Sequence, residues 1–179
     1  MSMIDNTKNI PGSKIVKQLK PEKLHEEAKE FLIFQIYVTS EYILDNFGLE
    51  ALKNYYFFNQ ESYFRLKMST FYKMIESLIK KLPKRLKIKE GLKLMINELQ
   101  FIEPPKNIVI LEKTNDKAIF ELTKCSVRKI FNKYARKSHR LDLIDKCCLW
   151  CMESIPFAEK YGFKYRIELT KNGCLNYLE

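Results

Sequence analysis

Residues 163–178 read Phe163-Lys164-Tyr165-Arg166-Ile167-Glu168-Leu169-Thr170-Lys171-Asn172-Gly173-Cys174-Leu175-Asn176-Tyr177-Leu178, and this stretch decides the fold. Phe163 to Leu169 and Cys174 to Leu178 read as strands around Asn172-Gly173, a dipeptide that accepts the positive φ of a tight hairpin. A second strand pair stands upstream: Ile108 to Leu111 and Ala118 to Leu122, joined by Thr114-Asn115-Asp116. Between the pairs, Val127, Ile130, Phe131 and Tyr134 recur at helical spacing, with the basic residues of that segment turned outward. Leu141 to Glu153 reads as another helix, and Pro156 opens a short turn that ends near Gly162. Residues 104–179 therefore predict a β-β-α-α-β-β unit, an antiparallel sheet with helices on one side.

Glu103-Pro104-Pro105-Lys106 marks the upstream border, because consecutive prolines permit neither helix nor central strand. Before it the apolar period is helical. Pro21 suits a first helical turn, and Glu22, Glu26 and Glu27 favour that end of the dipole. Leu24, Ala28, Phe31, Leu32, Gln35, Ile36, Ser40 and Ile43 trace an apolar stripe that predicts the buried face, with Gly48 as the stop. A second helix is expected from Leu49 to about Lys81, ended by Pro83 and rich in aromatics from Tyr55 to Tyr72. A third covers Ile88 to Phe101, with Leu92, Met95, Ile96 and Leu99 inward. The expected organisation is a flexible tail over 1–20, a helical region over 21–103 and an α/β region over 104–179. The class is α+β, long N-terminal helices packed on the C-terminal unit.

The net charge of +10 points toward phosphate or nucleic acid until its distribution is counted. Residues 1–100 carry 17 Lys and Arg against 12 acids, residues 101–179 carry 15 against 10, so each part is +5. Two basic runs remain, around Pro83 and from Lys124 to Arg140. Solvated helix faces explain both without a ligand, and phosphate binding is the alternative. The first twenty residues hold four lysines and Pro11-Gly12, with no apolar core for a secretion signal. The run Phe31 to Val38 is far shorter than the roughly 20 residues of a membrane span. A cytoplasmic protein with no membrane partner is expected, and with it reduced thiols.

All five cysteines, Cys125, Cys147, Cys148, Cys151 and Cys174, fall in the C-terminal third. Packing is the commonest use of a buried cysteine; metal ligation and a catalytic or redox thiol are the alternatives. Cys125 leaves a strand, Cys151 sits one turn beyond Cys147 on a helix, and Cys174 opens the last strand, so the sheet and its helices can bring them together. Three thiolates completed by water, a fourth cysteine or a carboxylate suit tetrahedral zinc, with Glu168 as the oxygen donor. For catalysis the candidates are a Cys125 or Cys151 thiolate as nucleophile and Arg166 as the partner of a substrate carboxylate. His25 and His139 are the only histidines, and the phosphate-loop, dinucleotide, HExxH and GxSxG patterns are absent.

Phe47-Gly48-Leu49-Glu50-Ala51, Phe120-Glu121-Leu122-Thr123-Lys124-Cys125, the Cys148/Cys151 helix and Arg166 to Cys174 follow one another in a familiar order. That order resembles the L-2-amino-thiazoline-4-carboxylic acid hydrolase-like group and, more distantly, the vinyl-4-reductase ligand-binding domains, across about residues 25–179. The resemblance implies helices packed on an α/β domain that encloses a small-molecule pocket. It also implies a zinc site beside that pocket, carried over onto Cys151, Glu168 and Cys174, with Cys125 matching a cysteine of the hydrolase group. The chain departs from the pattern in two places: no second cysteine stands between Glu168 and Cys174, and Ser154 replaces an expected acid.

The leading functional expectation is a small-molecule-binding protein, with hydrolysis of a C–N or C–S bond in a cyclic amino-acid-like substrate as its catalytic form. Its rivals are a ligand sensor or adaptor that forms a homodimer through the long helices, and a basic nucleic-acid-binding protein using residues 124–140.

Overall fold

The structure, a computed structural model, describes residues 20–67, 81–160 and 162–179, with the backbone alone for 64–67. The expected tail and the stretch 68–80, with Phe71 and Tyr72, lie outside the described residues.

Helix α1 spans Pro21–Lys67 and is broken at Gly48, whose φ of 81° and ψ of −179° suit glycine alone. The Tyr56 hydroxyl meets Ser40 Oγ at 2.6 Å. Sixteen residues along an unbroken helix would separate them by about 24 Å, so the arms 21–47 and 49–67 fold back on one another. Gly48 thus ends one helix as expected and turns the chain for the next. Ser40 gives its own proton to the Ile36 carbonyl at 2.6 Å, so Tyr56 is the donor to Ser40.

The buried face of α1 keeps Ser40 and, in part, Ile36 of the expected stripe but is centred on Ile33 and Tyr37. Ile33, Tyr37 and Ser40 are buried, while Leu24, Phe31 and Leu32 are more than half exposed. What rotates the helix is its contact with α3 (Ser126–Lys137). Tyr37 packs edge-on against Phe131 with ring centroids 5.4 Å apart. Arg140, just beyond α3, donates to Glu41 at 3.2 Å and to Asp45 at 2.8 and 2.7 Å, fixing which side of α1 faces the loop. Phe131, Ala135, Leu143, Cys147 and Cys148 complete this core, with Val127, Ile130 and Tyr134 partly buried as the spacing predicted.

Helix α2 (Lys84–Gln100) starts after Pro83 and buries Ile88 and Leu92. They join Ala118, Phe120 and Leu178 in a second core, with Met95, Ile96 and Leu99 at its margin. Both long helices therefore bury their apolar sides against residues of 104–179.

The sheet comprises β1 (Ile108–Lys113), β2 (Ala118–Leu122), β3 (Tyr165–Leu169) and β4 (Cys174–Leu178) in the order β1-β2-β4-β3, every pair antiparallel. Register assigns the faces. Leu122 stands opposite Cys174, and Cys174 opposite Leu169, so Ala118, Phe120, Leu122, Tyr165, Ile167, Leu169, Cys174, Asn176 and Leu178 share the inner, helix-covered face. Ile119, Glu121, Arg166, Glu168, Leu175 and Tyr177 share the outer one. The fold is mixed α+β with the expected antiparallel sheet.

One expected helix is replaced. Leu141 to Glu153 forms a short 3₁₀ turn at Leu141–Leu143, a loop, and helix α4 (Cys148–Met152), followed by α5 (Ser154–Lys160). The break lies at Asp145, which adopts a positive φ of 62° because its side chain is claimed by α3. No helix among the described residues is long and apolar enough to cross a membrane.

Candidate functional site

Arg128 holds the C-terminal unit together. Its Nε and Nη2 donate to the two carboxylate oxygens of Asp145 at 2.7 and 2.8 Å, a bidentate pair. Its Nη1 donates to the carbonyls of Thr170 at 2.6 Å and Gly173 at 3.4 Å. One side chain thus ties α3, the Asp145 loop and the β3–β4 turn. Asn132 closes the network, giving Nδ2–H to Asp145 at 2.7 Å and accepting the Asp145 N–H at 3.0 Å. The Arg128 hydrogen bonds, then those of Asn132, hold the Asp145 carboxyl below the usual carboxylate range against the opposing effect of burial. The outward-facing basic helix of the sequence reading is corrected here: Arg128 is turned in and only 15% exposed.

This staple positions the cysteines. Cys125 occupies the N-cap of α3, its sulfur accepting the Arg128 N–H at 3.4 Å, a place where Ser, Thr or Asp is the usual choice. Buried Glu103 supports the same helix start by accepting the Ser126 N–H at 2.5 Å and its hydroxyl at 2.7 Å. Cys125 N–H donates to the Asn172 carbonyl at 2.9 Å, which docks the hairpin turn beside it. Gly173 allows the approach: a Cβ there would meet the Leu122 carbonyl oxygen at 1.6 Å. Cys174 follows on the inner face, its sulfur accepting from Asn176 Nδ2 at 3.4 Å, while Asn176 Oδ1 accepts the Tyr165 hydroxyl at 2.7 Å.

The thiols from these separate elements lie within electrostatic reach of one another. Burial, the largest influence, pushes Cys125 up to about 12, and the charges of Cys148 and Cys174 act in the same direction. Burial likewise raises Cys151, reinforced by Cys125, Cys174 and Cys148, and raises Tyr165, reinforced by Cys151 and Cys174. By surface area Cys151 is nevertheless exposed. Cys151 on α4 is thus close enough to Tyr165 of the inner face for its charge to raise the Tyr165 hydroxyl.

Cys147 and Cys148 divide their roles. Hydrogen bonding between the two neighbouring thiols pushes Cys147 up, as does its burial. That same hydrogen bond, together with the charge of Arg128, brings Cys148 below the ordinary thiol value despite burial. Sequence reading named Cys125 and Cys151 as nucleophiles; burial raises both of these thiols, and of the five only Cys148 is shifted down. Its dependence on Arg128 crosses between elements and leaves no local pattern.

Arg166 and Glu168 do not join the cysteines. They lie on the outer face, where Arg166 stacks on the Tyr177 ring at 3.7 Å and contacts Glu168, and Tyr177 donates to Glu168 at 2.8 Å. An open groove of about 320 Å³ beside them is lined by Glu159, Lys164, Tyr165, Arg166, Tyr177 and Glu179, and none of the five cysteines borders it. Strand parity makes the separation unavoidable: Leu169 opposes Cys174, so Glu168 points the other way. Among the described residues no group of three or more His, Cys, Asp or Glu side chains is arranged to hold a metal ion. Glu168 therefore does not join Cys125, Cys151 and Cys174 in the expected zinc set. Other cations of the basic run are also engaged, Lys133 with Glu30 at 3.2 Å and Arg140 with Glu41, Asp45 and Asp142.

No protein-family model matches the chain, no curated protein matches its sequence, and no solved structure matches its fold. The resemblance to the L-2-amino-thiazoline-4-carboxylic acid hydrolase-like group accordingly stands on the quoted residues alone.

Proposed function

We propose that the protein binds a small molecule beside Cys151, between α4 and the inner face of the sheet. One observation carries this reading. Cys151, an exposed residue, lies close enough to Cys125, Cys174 and Tyr165, which come from three other parts of the chain, for their charges to act on one another. Apolar walls with a few placed polar groups are the usual make-up of a ligand site, and the Tyr165–Asn176–Cys174 hydrogen bonds supply the polar part. A thermal-shift screen with 2-aminothiazoline-4-carboxylate and related cyclic amino acids tests it. A ligand at about 100 times its Kd adds about 2.7 kcal/mol to stability. Cys151→Trp, which places a large side chain at the proposed site, should abolish the shift; a shift that survives it places binding elsewhere and rejects the reading.

The catalytic form of this reading gives the attack on carbon to Cys148, because Cys125 and Cys151 stay protonated near neutral pH. Turnover that Cys148→Ser eliminates and Cys125→Ser preserves supports it; ligand binding without turnover supports a sensor. The exposed apolar side chains Phe31, Val38, Tyr42, Phe47 and Phe58 along α1 favour pairing of two copies, which light scattering on the full chain measures.

A further inference from the structure

We propose that Cys148 and Cys151 form a dithiol–disulfide redox site whose oxidant is a small hydroperoxide. The backbone sets the geometry. Cys148 N–H donates to Asp145 O at 2.9 Å, Leu149 to Lys146 O at 3.1 Å and Trp150 to Cys147 O at 3.2 Å. These bonds lead the chain into α4 (Cys148–Met152), where Cys148 and Cys151, three residues apart, lie on one face of the helix. Residues at this spacing have Cα atoms about 5 Å apart, inside the 4.4–6.8 Å range that a disulfide spans. The turn is fixed from outside by Arg128 on Asp145, so closing the bond needs no rearrangement of the sheet.

The two sulfurs are also unequal in the way the chemistry requires. Cys148 follows directly on the Arg128–Asp145 pair, giving its N–H to the Asp145 carbonyl, so the guanidinium charge favours its thiolate; Cys151 lies a turn further on and is the more exposed residue of the two. In the first step the Cys148 thiolate attacks the distal oxygen of the hydroperoxide. The O–O bond breaks, a sulfenic acid forms, and the alkoxide or hydroxide takes a proton to leave as alcohol or water. In the second step the Cys151 sulfur attacks the sulfenic sulfur. The S–S bond forms, the S–O bond breaks, and the Cys151 proton leaves with the oxygen as water. Two thiols are oxidised and one hydroperoxide is reduced. This site shares Cys148 and Cys151 with the ligand reading above but goes beyond it, since it needs access for a peroxide and no bound organic molecule.

Reduced full-length protein treated with hydrogen peroxide tests the proposal, with mass spectrometry of the tryptic peptide 147–160 as the readout. That peptide should become lighter by two hydrogens in wild type and in Cys147→Ser, the latter more slowly because the hydrogen bond between the two neighbouring thiols is gone. Cys151→Ser should instead accumulate a dimedone adduct on Cys148, and Cys148→Ser should give neither product. An unchanged peptide in wild type, or a disulfide that Cys147→Ser eliminates and Cys151→Ser preserves, overturns the assignment. So does first oxidation at Cys125 or Cys174.

Discussion

Replacing Arg128 by Met keeps most of the aliphatic stem and removes the guanidinium that joins three elements. Four hydrogen bonds disappear: two charge-assisted ones to Asp145 and two to the carbonyls of Thr170 and Gly173. Asp145 is left with Asn132 as its side-chain partner while remaining two-thirds buried, at 33% side-chain exposure. Stranding one partner of a fully buried pair costs about 3–5 kcal/mol, and partial solvent access at Asp145 lowers the expectation to about 2–4 kcal/mol. With a urea m-value of about 2 kcal/mol/M, the unfolding midpoint should fall by about 1–2 M. Arg128→Lys should recover little, because a single ammonium cannot reproduce the fork that spans both oxygens and the turn carbonyls. A cycle with Asp145→Asn should give a coupling of about 1–3 kcal/mol. A loss below about 0.5 kcal/mol, the ordinary range for surface substitutions, would show that the guanidinium is solvated and holds nothing together.

Gly173→Ala should destabilise the hairpin by more than about 2 kcal/mol, since the new methyl would sit on the Leu122 carbonyl, which is backbone and cannot yield; circular-dichroism melting measures it. The Asp145 carboxyl titrates lower folded than unfolded, so its stabilisation is full above the unfolded value of about 3.9 and is lost as pH falls toward the folded one. Asp145→Asn should therefore flatten the acid limb of stability against pH, and an unchanged limb would remove Asp145 from the account. Arg166→Ala should leave the alkylation rates of all five cysteines unchanged, because Arg166 lies across the sheet from them; altered rates at Cys174 or Cys151 would contradict the face assignment.

Much of the fold was legible because its determinants are local. Pro83 opens α2, Gly48 ends the first helical arm, and the runs around Asn172-Gly173 and Thr114 to Asp116 announce the four strands. What failed was non-local. The break at Asp145 comes from Arg128, seventeen residues earlier, and the rotation of α1 comes from Tyr37, Glu41 and Asp45 meeting residues about one hundred positions later. No periodicity encodes such contacts. The separation of Glu168 from Cys174 was readable in principle, since pairing Leu169 with Cys174 across the four-residue loop fixes the parity of every residue on both strands. The partition of the thiols into a supported Cys148 and protonated neighbours was not, because hydrogen bonding and burial set it, and both belong to the folded state.

The central claim, that sulfurs from α3, α4 and β4 meet on the inner side of the sheet, is tested most directly by a short bismaleimide added to reduced native protein, with the bridged peptides identified by mass spectrometry. Bridges from Cys151 to Cys174 or Cys125 are expected in the native state and should vanish in urea. Bridges confined to Cys147, Cys148 and Cys151, which are neighbours in any conformation, would contradict it.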